Sequence, residues 1–179
     1  DKTRHNIGFD VIDELASQMG VQVNTKRHKA LCGVGQIGSE KVILVKPQTY
    51  MNLSGDSVRE FVNFYKLSPE EVIVVCDDIN LPVGGIRIRK KGSDGGQKGL
   101  RSIIGQLGYD NFTRVRVGVG EKPAGWDLAK YVLSKFTDEE KDDIISGITD
   151  AAEAVSIIVK TGDVDKAMNK FNKKGQGKQ

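Results

Sequence analysis

The feature that most constrains the fold of this chain is an apolar run that ends in two acids, Val72-Ile73-Val74-Val75-Cys76-Asp77-Asp78. Such a run is typical of a strand covered on both faces, as in the middle of an α/β sheet. In open α/β sheets, ligands bind beyond the carboxyl ends of the strands. Asp77 continues the alternation of the strand at that end, whereas Asp78 should point the other way. We therefore assign a function to Asp77 only; the alternative is an ordinary turn, since Asn80-Leu81-Pro82 follows.

Length and cysteine content indicate one domain in a reducing compartment. A domain of 179 residues buries roughly 70% of its unfolded surface, so it needs no metal or disulfide for stability. The cysteines, Cys32 and Cys76, lie in apolar runs whose spacing fits neither a zinc site nor a disulfide framework. We expect a cytoplasmic protein, and the sequence contains no apolar run long enough to span a bilayer.

The charge distribution favours a polyanionic partner. The 27 Lys and Arg residues exceed the 24 Asp and Glu residues only slightly. However, they cluster at residues 26–29, at residues 87–91 and from residue 170 onward. Local basic stripes on a nearly neutral chain suit nucleic acid better than a membrane.

The two histidines have different settings. Apolar residues recur at helical spacing over residues 7–19 and predict an amphipathic helix, with His5 at its N-terminus. The positive end of the helix dipole disfavours imidazolium, and a neutral imidazole is what a general base needs. The alternative is that His5 and Asn6 merely cap the helix. His28 lies in a basic run and is interpreted as a solvated loop residue.

Two glycine-rich stretches match nucleotide-binding motifs only formally. The G-x-G-x-x-G at residues 33–38 falls within a predicted strand, residues 30–37, and a second strand follows, so it is no dinucleotide fingerprint. Residues 92–99 lead into a helix but lack the Gly-Lys-Ser/Thr of a phosphate-binding loop. Free N–H groups at that helix start still suit an anionic or peptidic ligand.

Residues 47–55 connect a predicted strand, residues 41–46, to a helix at the same rim as Asp77. Asn52 offers a donor and an acceptor that can grip a peptide group, and Tyr50 offers a face for stacking. Taken alone, Asn52 reads as a helix cap and Tyr50 as a core aromatic. Their occurrence together at the rim favours a function.

Two strands alternate apolar with basic residues, at residues 85–91 and 114–119. Each is predicted to be half-buried with one basic face. A solvated face explains one such strand, but two favour a track for phosphates.

The C-terminal third reads as structural. Thr137 and Glu140 form a capping box before a long helix over residues 138–161, which we expect over or beside the cleft. A shorter helix follows from residue 163. The expected fold is single-domain α/β, a twisted mixed β-sheet flanked by helices, over residues 1–172, with a basic disordered tail at residues 173–179.

The residues suited to catalysis are one histidine, one aspartate and one asparagine. The sequence has no G-x-S-x-G elbow and no HExxH motif, so covalent nucleophiles and metals have little support. Asp77 would fix the tautomer of His5 while His5 deprotonates water, and Asn52 would orient the acyl group or stabilise an oxyanion. Such a set suffices for an activated ester and would be weak for an ordinary amide.

These motifs, in order along nearly the whole chain, resemble the bacterial-type peptidyl-tRNA hydrolase family; they are residues 3–6, 50–55, 77–78 with 81–82, and 95–100. The resemblance implies a three-layer sandwich and hydrolysis of the ester between peptide and tRNA, which recycles tRNA and rescues ribosomes. It implies no cofactor, a monomer, and contact with the acceptor arm and 3′ end of the tRNA.

The resemblance also implies roles for individual residues. His5 matches the catalytic base, Asp77 its stabilising acid, and Asn52 a substrate-binding and catalytic amide. Tyr50 matches an aromatic position beside the substrate. The basic positions associated with tRNA phosphates are matched by Arg87, Arg89 and Arg116.

Two departures from the family pattern stand out. Gln97-Lys98 replaces the usual His-Asn, so Lys98 occupies the place of a substrate-binding Asn, and a lysine donates but cannot accept. The family opens with a strand and a Gly-Asn-Pro-Gly turn that do not precede Asp1; if the protein lacks them, its sheet lacks a central strand and its activity is in doubt. The rival functions are a non-catalytic RNA- or protein-binding member of the fold, such as a splicing cofactor, and an unrelated small esterase.

Overall fold

The computed structural model describes residues 3–176, with side chains to residue 172. Its α-helices are α1 Ile7–Met19, α2 Ser54–Tyr65, α3 Lys98–Leu107, α4 Leu128–Val132, α5 Lys141–Thr161 and α6 Val164–Gln176. Its strands are β1 Thr25–Arg27, β2 Ala30–Ile37, β3 Glu40–Pro47, β4 Ile73–Asp78, β5 Ile86–Arg89 and β6 Thr113–Gly118. Short 3-10 helices span Arg4–Asn6, Met51–Leu53, Pro69–Glu71 and Asp138–Glu140.

The strands pair in two sheets of three. The first sheet is antiparallel in the order β1-β2-β3, and the second has the order β4-β6-β5. In the second sheet, β4 runs parallel to β6 while β5 is antiparallel to it. The predicted α/β class with mixed pairing is therefore confirmed, and the six strands are divided between two sheets.

A groove of about 940 Å³ separates the two sheets. The edge strands β3 and β4 both line it, together with side chains of α1, α2, α3 and α5. Ile73, Val74 and Val75 are consequently only half-buried. The prediction that β4 lies in mid-sheet is wrong for the described residues, because β4 is an edge strand that borders this groove. Both of its faces are nevertheless covered: Ile73 and Val75 pack against one apolar cluster, and Val74 and Cys76 belong to another. Val155 and Ile158 of α5 line the groove, which agrees with the expected position of the C-terminal helix.

Helix α1 packs its apolar stripe into the main core and its first turn against β4. Ile7, Val11 and Leu15 are at most 1% exposed. A Cβ on Gly8 would lie 2.5 Å from the carbonyl oxygen of Val75, so only glycine permits this approach of helix to strand. The N-terminus of α1 is thereby held beside the carboxyl end of β4.

Strand β6 differs from its prediction as a half-exposed basic strand. It lies between β4 and β5, and all six of its residues are buried, including Arg114 at 1% and Arg116 at 9% exposure. The guanidinium of Arg114 donates to the backbone carbonyls of Gly92, Asp110 and Phe112. The alternation of arginine and valine in β6 therefore separates two buried faces: the arginines meet backbone carbonyls, and the valines pack in the apolar core. Strand β5, by contrast, alternates buried isoleucines with half-buried arginines as predicted.

Two further sequence interpretations have structural outcomes. His28 is half-buried in the β1–β2 turn at φ 48°, with its ring 4.8 Å from that of Phe61, so its interpretation as a solvated residue is wrong. The capping box of Thr137 and Glu140 is confirmed. Helix α6 continues through Gln176, and residues 177–179 of the expected tail lie outside the described residues.

Candidate active site

His5 and Asp77, 72 positions apart in sequence, meet at the junction of α1 and β4. The Nδ1 atom of His5 lies 3.4 Å from Oδ2 and 3.3 Å from Oδ1 of Asp77. These distances are at the long end of hydrogen bonding, and catalytic hydrogen bonds commonly shorten only when substrate binds. With Nδ1 as the donor, Nε2 of His5 is left as an acceptor. The Asp77 side chain is 5% exposed and that of His5 is 19% exposed, so the carboxylate is internal and the ring borders solvent.

The residue before His5 fixes the segment that carries it. The Arg4 side chain donates to both carboxylate oxygens of Glu140, at 2.9 and 3.2 Å, and to the carbonyl of Val119 at 2.6 Å. Its guanidinium also lies 4.5 Å from the ring centre of Tyr131. Burial opposes ionisation of Glu140, but the hydrogen bonds and charge of Arg4 hold the pKa of that carboxyl below its usual value. Arg4 thus joins the His5 turn to the start of α5.

Asp77 has a second partner on its other side. The amide nitrogen of Gln97 donates to Oδ1 of Asp77 at 2.9 Å, and its oxygen accepts from the backbone of Leu100 at 2.6 Å. Asp78 instead accepts from the backbone of Asn80 at 2.8 Å and serves the following turn, as its expected direction required. Burial raises the pKa of the neighbouring Cys76 thiol to about 12, so this cysteine is no nucleophile.

The predicted rim residues are exposed around this couple. Tyr50 is 83% exposed, which excludes the alternative of a core aromatic. Asn52 is exposed in the 3-10 helix beside it, and its neighbour Met51 has its sulfur 3.7 Å from the Gln97 amide. Lys98 is the exposed first residue of α3. The structure therefore pairs His5 with Asp77 directly and brings the Asn52 loop to Asp77 through Gln97.

The three arginines expected to bind phosphate form one cationic cluster of unequal exposure. Burial lowers the pKa of Arg89, and the charges of Arg87 and Arg116 lower it further. Arg87 and Arg89 are half-buried on β5, which leaves part of each side chain accessible. Arg116 donates to the carbonyl of Ser93 at 3.1 Å and packs against Gly95, so it mainly fixes the glycine-rich loop.

Sequence reasoning missed the parts played by Arg4, Gln97 and Arg114. Arg4 and Gln97 lie within the motifs shared with the family, and this was the signal that could have drawn attention to them. Their partners could not be predicted, because Glu140 is 136 residues from Arg4 and Asp77 is 20 residues from Gln97. In the part of the chain that the structure describes, acidic, histidine and cysteine side chains form no group able to hold a metal ion. No helix within residues 3–176 is long and apolar enough to cross a membrane.

A histidine that contacts a buried carboxylate, with an amide-bearing loop nearby on an α/β frame, is the arrangement typical of hydrolytic sites that use a general base. Comparison with known proteins narrows this class. The sequence profile of the family described as peptidyl-tRNA hydrolase matches residues 1–179, and the chain belongs to this family.

Relatives and solved structures agree with this assignment. The chain is 55% identical over 174 residues to a peptidyl-tRNA hydrolase of Lachnoclostridium phytofermentans, covering 97% of this chain and 91% of the relative. It is 57% identical over 173 residues to one of Agathobacter rectalis, covering 96% and 92%. The crystal structure of peptidyl-tRNA hydrolase from Acinetobacter baumannii superimposes with a TM-score of 0.89 at 33% identity, covering 96% of this chain and 87% of the other.

Proposed function

We propose that this chain hydrolyses the ester bond between the peptide, or an N-acyl-aminoacyl group, and tRNA in peptidyl-tRNA. The observation that carries the proposal is the His5–Asp77 couple at the N-terminus of α1, in a chain of this family. The activity would return tRNA to translation, and we expect the protein to act in the cytoplasm as a monomer.

The couple accounts for the chemistry of the proposed reaction. Nε2 of His5 accepts a proton from a water molecule as the water attacks the ester carbonyl. Asp77 accepts from Nδ1, which keeps Nε2 free of hydrogen and stabilises the imidazolium that forms. The proton then passes to the ribose oxygen that leaves. Asn52 positions the acyl group, and its amide can donate to the oxygen on which charge develops.

The surrounding surface supplies binding. The exposed ring of Tyr50 and the ammonium of Lys98 lie at the rim, where the peptide and the 3′ end of the tRNA would pass. Arg87 and Arg89 contact tRNA phosphates, and Arg116 adds its charge from beneath while holding the glycine-rich loop in place. Phosphate contacts of this kind set affinity and its salt dependence and leave bond cleavage to other residues.

Side-by-side incubation with N-acyl-aminoacyl-tRNA and with free aminoacyl-tRNA tests the proposal. We expect release of the acyl-amino acid from the first substrate and none from the second. Binding of the first substrate without any release would instead favour a non-catalytic member of the fold. Equal release from both, or from a simple ester lacking tRNA, would indicate an unspecific esterase.

A further inference from the structure

We propose that Gln97 is the positioning residue of Asp77, and that its uncharged amide orients the carboxylate without placing a second negative charge beside the couple. The inference rests on the proposed function and deepens it. Gln97 is 8% exposed and Asp77 is 4% exposed, so their contact is internal. Gln97 acts on the reaction through Asp77 only.

The orientation of the Gln97 amide is fixed by the backbone. The N–H of Leu100 can only donate, so the atom 2.6 Å from it must be the oxygen of the side chain. The amide nitrogen is therefore forced toward Asp77, where it donates to Oδ1 at 2.9 Å. A donor held in this way restricts the rotation of the carboxylate.

This restriction matters because the carboxylate meets His5 nearly symmetrically. Both oxygens of Asp77 lie within 0.1 Å of the same distance from Nδ1, at 3.3 and 3.4 Å. The His5 contact alone thus leaves the plane of the carboxylate poorly defined. The hydrogen bond from Gln97 fixes the plane of the Asp77 carboxylate, which the contact with His5 does not. Gln97 also contacts Met51 and so supports the loop that carries Asn52.

A titratable side chain at this position would behave differently. The ionisable groups next to Asp77 are His5, which contacts it, Cys76 and Asp78 on β4, and Arg116, which lies opposite Cys76 on the adjacent β6. A glutamate in place of Gln97 can still accept from Leu100, so the start of α3 keeps its cap. Once ionised, however, it would face Asp77 as a second carboxylate, and the added negative charge would favour the protonated form of His5.

The experiment compares kcat and KM across pH 5.5 to 9 for the wild type, Gln97→Glu, Gln97→Met and Gln106→Glu. Gln106 is exposed on the same helix, where it accepts from Arg59, so its variant controls for added charge. We expect Gln97→Glu to reach its plateau kcat only at higher pH than the wild type, because a second carboxylate stabilises the His5 imidazolium, which cannot act as a base. Gln106→Glu should keep the wild-type profile. Gln97→Met should lose about 10- to 100-fold in kcat at every pH with KM little changed.

A readout besides activity follows from the two histidines of the chain. In Gln97→Glu, the imidazole signals of His5 in a nuclear magnetic resonance titration should move at higher pH than in the wild type, and those of His28 should not. A wild-type pH profile and His5 titration in Gln97→Glu, or a loss of Gln97→Met confined to KM, would overturn the inference. An inactive wild type would overturn the proposed function itself, which separates the two failures.

Discussion

Asp77 receives hydrogen bonds from two sides, and only one of them comes from the residue it is proposed to orient. Replacing Asp77 by Asn puts an amide where His5 needs an acceptor, which favours the wrong tautomer of the imidazole. We expect Asp77→Asn to keep KM and lose up to about four orders of magnitude in kcat. Single-turnover hydrolysis of N-acyl-aminoacyl-tRNA measures this loss, and a fully active variant would refute the assigned role.

The cationic cluster offers a second test at single residues. Replacing both Arg87 and Arg89 by Gln removes two accessible charges, so KM should rise and its salt dependence should flatten while kcat is nearly kept. Arg114→Gln is the matched buried control, and its main effect should be on thermal stability, because Arg114 is 1% exposed and donates to the carbonyl of Gly92. An equal loss on a minimal substrate without the tRNA body would contradict the role in phosphate binding.

At the scale of elements, the approach of α1 to β4 is what brings base and acid together. A methyl group on Gly8 would meet the Val75 carbonyl, so Gly8→Ala should destabilise the fold by about 1–3 kcal/mol and lower kcat. Gly105 in α3 has open space around its Cβ position, so Gly105→Ala should be neutral or stabilising by up to about 1 kcal/mol. Denaturant unfolding of both variants measures the contrast; equal effects would contradict the close-packing argument.

The Arg4–Glu140 ion pair, which joins the His5 turn to α5, should make the stability of the fold depend on pH. The folded-state pKa of Glu140 is lowered, so its contribution to stability is present above its ordinary value of 4.5 and is lost as pH falls through the lowered value. Glu140→Gln leaves the buried Arg4 charge without its carboxylate and should cost about 1–3 kcal/mol at pH 7. The difference in Tm between wild type and variant should shrink below pH 4.5; a constant difference would contradict this ion pair.

Periodicity alone predicted most of these elements correctly, including α1 at residues 7–19 and β2 at residues 30–37, because these patterns are local. The environment of β6 could not be read in the same way. Alternation of arginine with valine is equally compatible with a solvent-exposed face of a strand and with buried arginines that donate to backbone carbonyls. Only the position of β6 between two other strands decides between them.

At the scale of the whole molecule, the site depends on contacts that join distant parts of the sequence. His5, Asp77 and Asn52 were predicted as site residues from their positions at element ends, where chemistry is expected. Their supports, Arg4 with Glu140 and Gln97 with Asp77, required the fold, because a side chain's partner 136 or 20 residues away leaves no mark in local sequence. The residues of the candidate site could thus be predicted from the sequence, whereas the contacts that support them could not.

The central claim is that His5 is the base of an enzyme that hydrolyses peptidyl-tRNA, and the chain contains its own control. His28, the other histidine, lies at φ 48° in the β1–β2 turn, a conformation that Asn tolerates, so His28→Asn removes an imidazole without backbone strain.

The decisive measurement is the single-turnover rate of N-acyl-aminoacyl-tRNA hydrolysis by the wild type, His5→Ala and His28→Asn at saturating enzyme. We expect His5→Ala to lose most of the rate while still binding the substrate, and His28→Asn to retain it. Hydrolysis by His5→Ala at the wild-type rate would contradict the account.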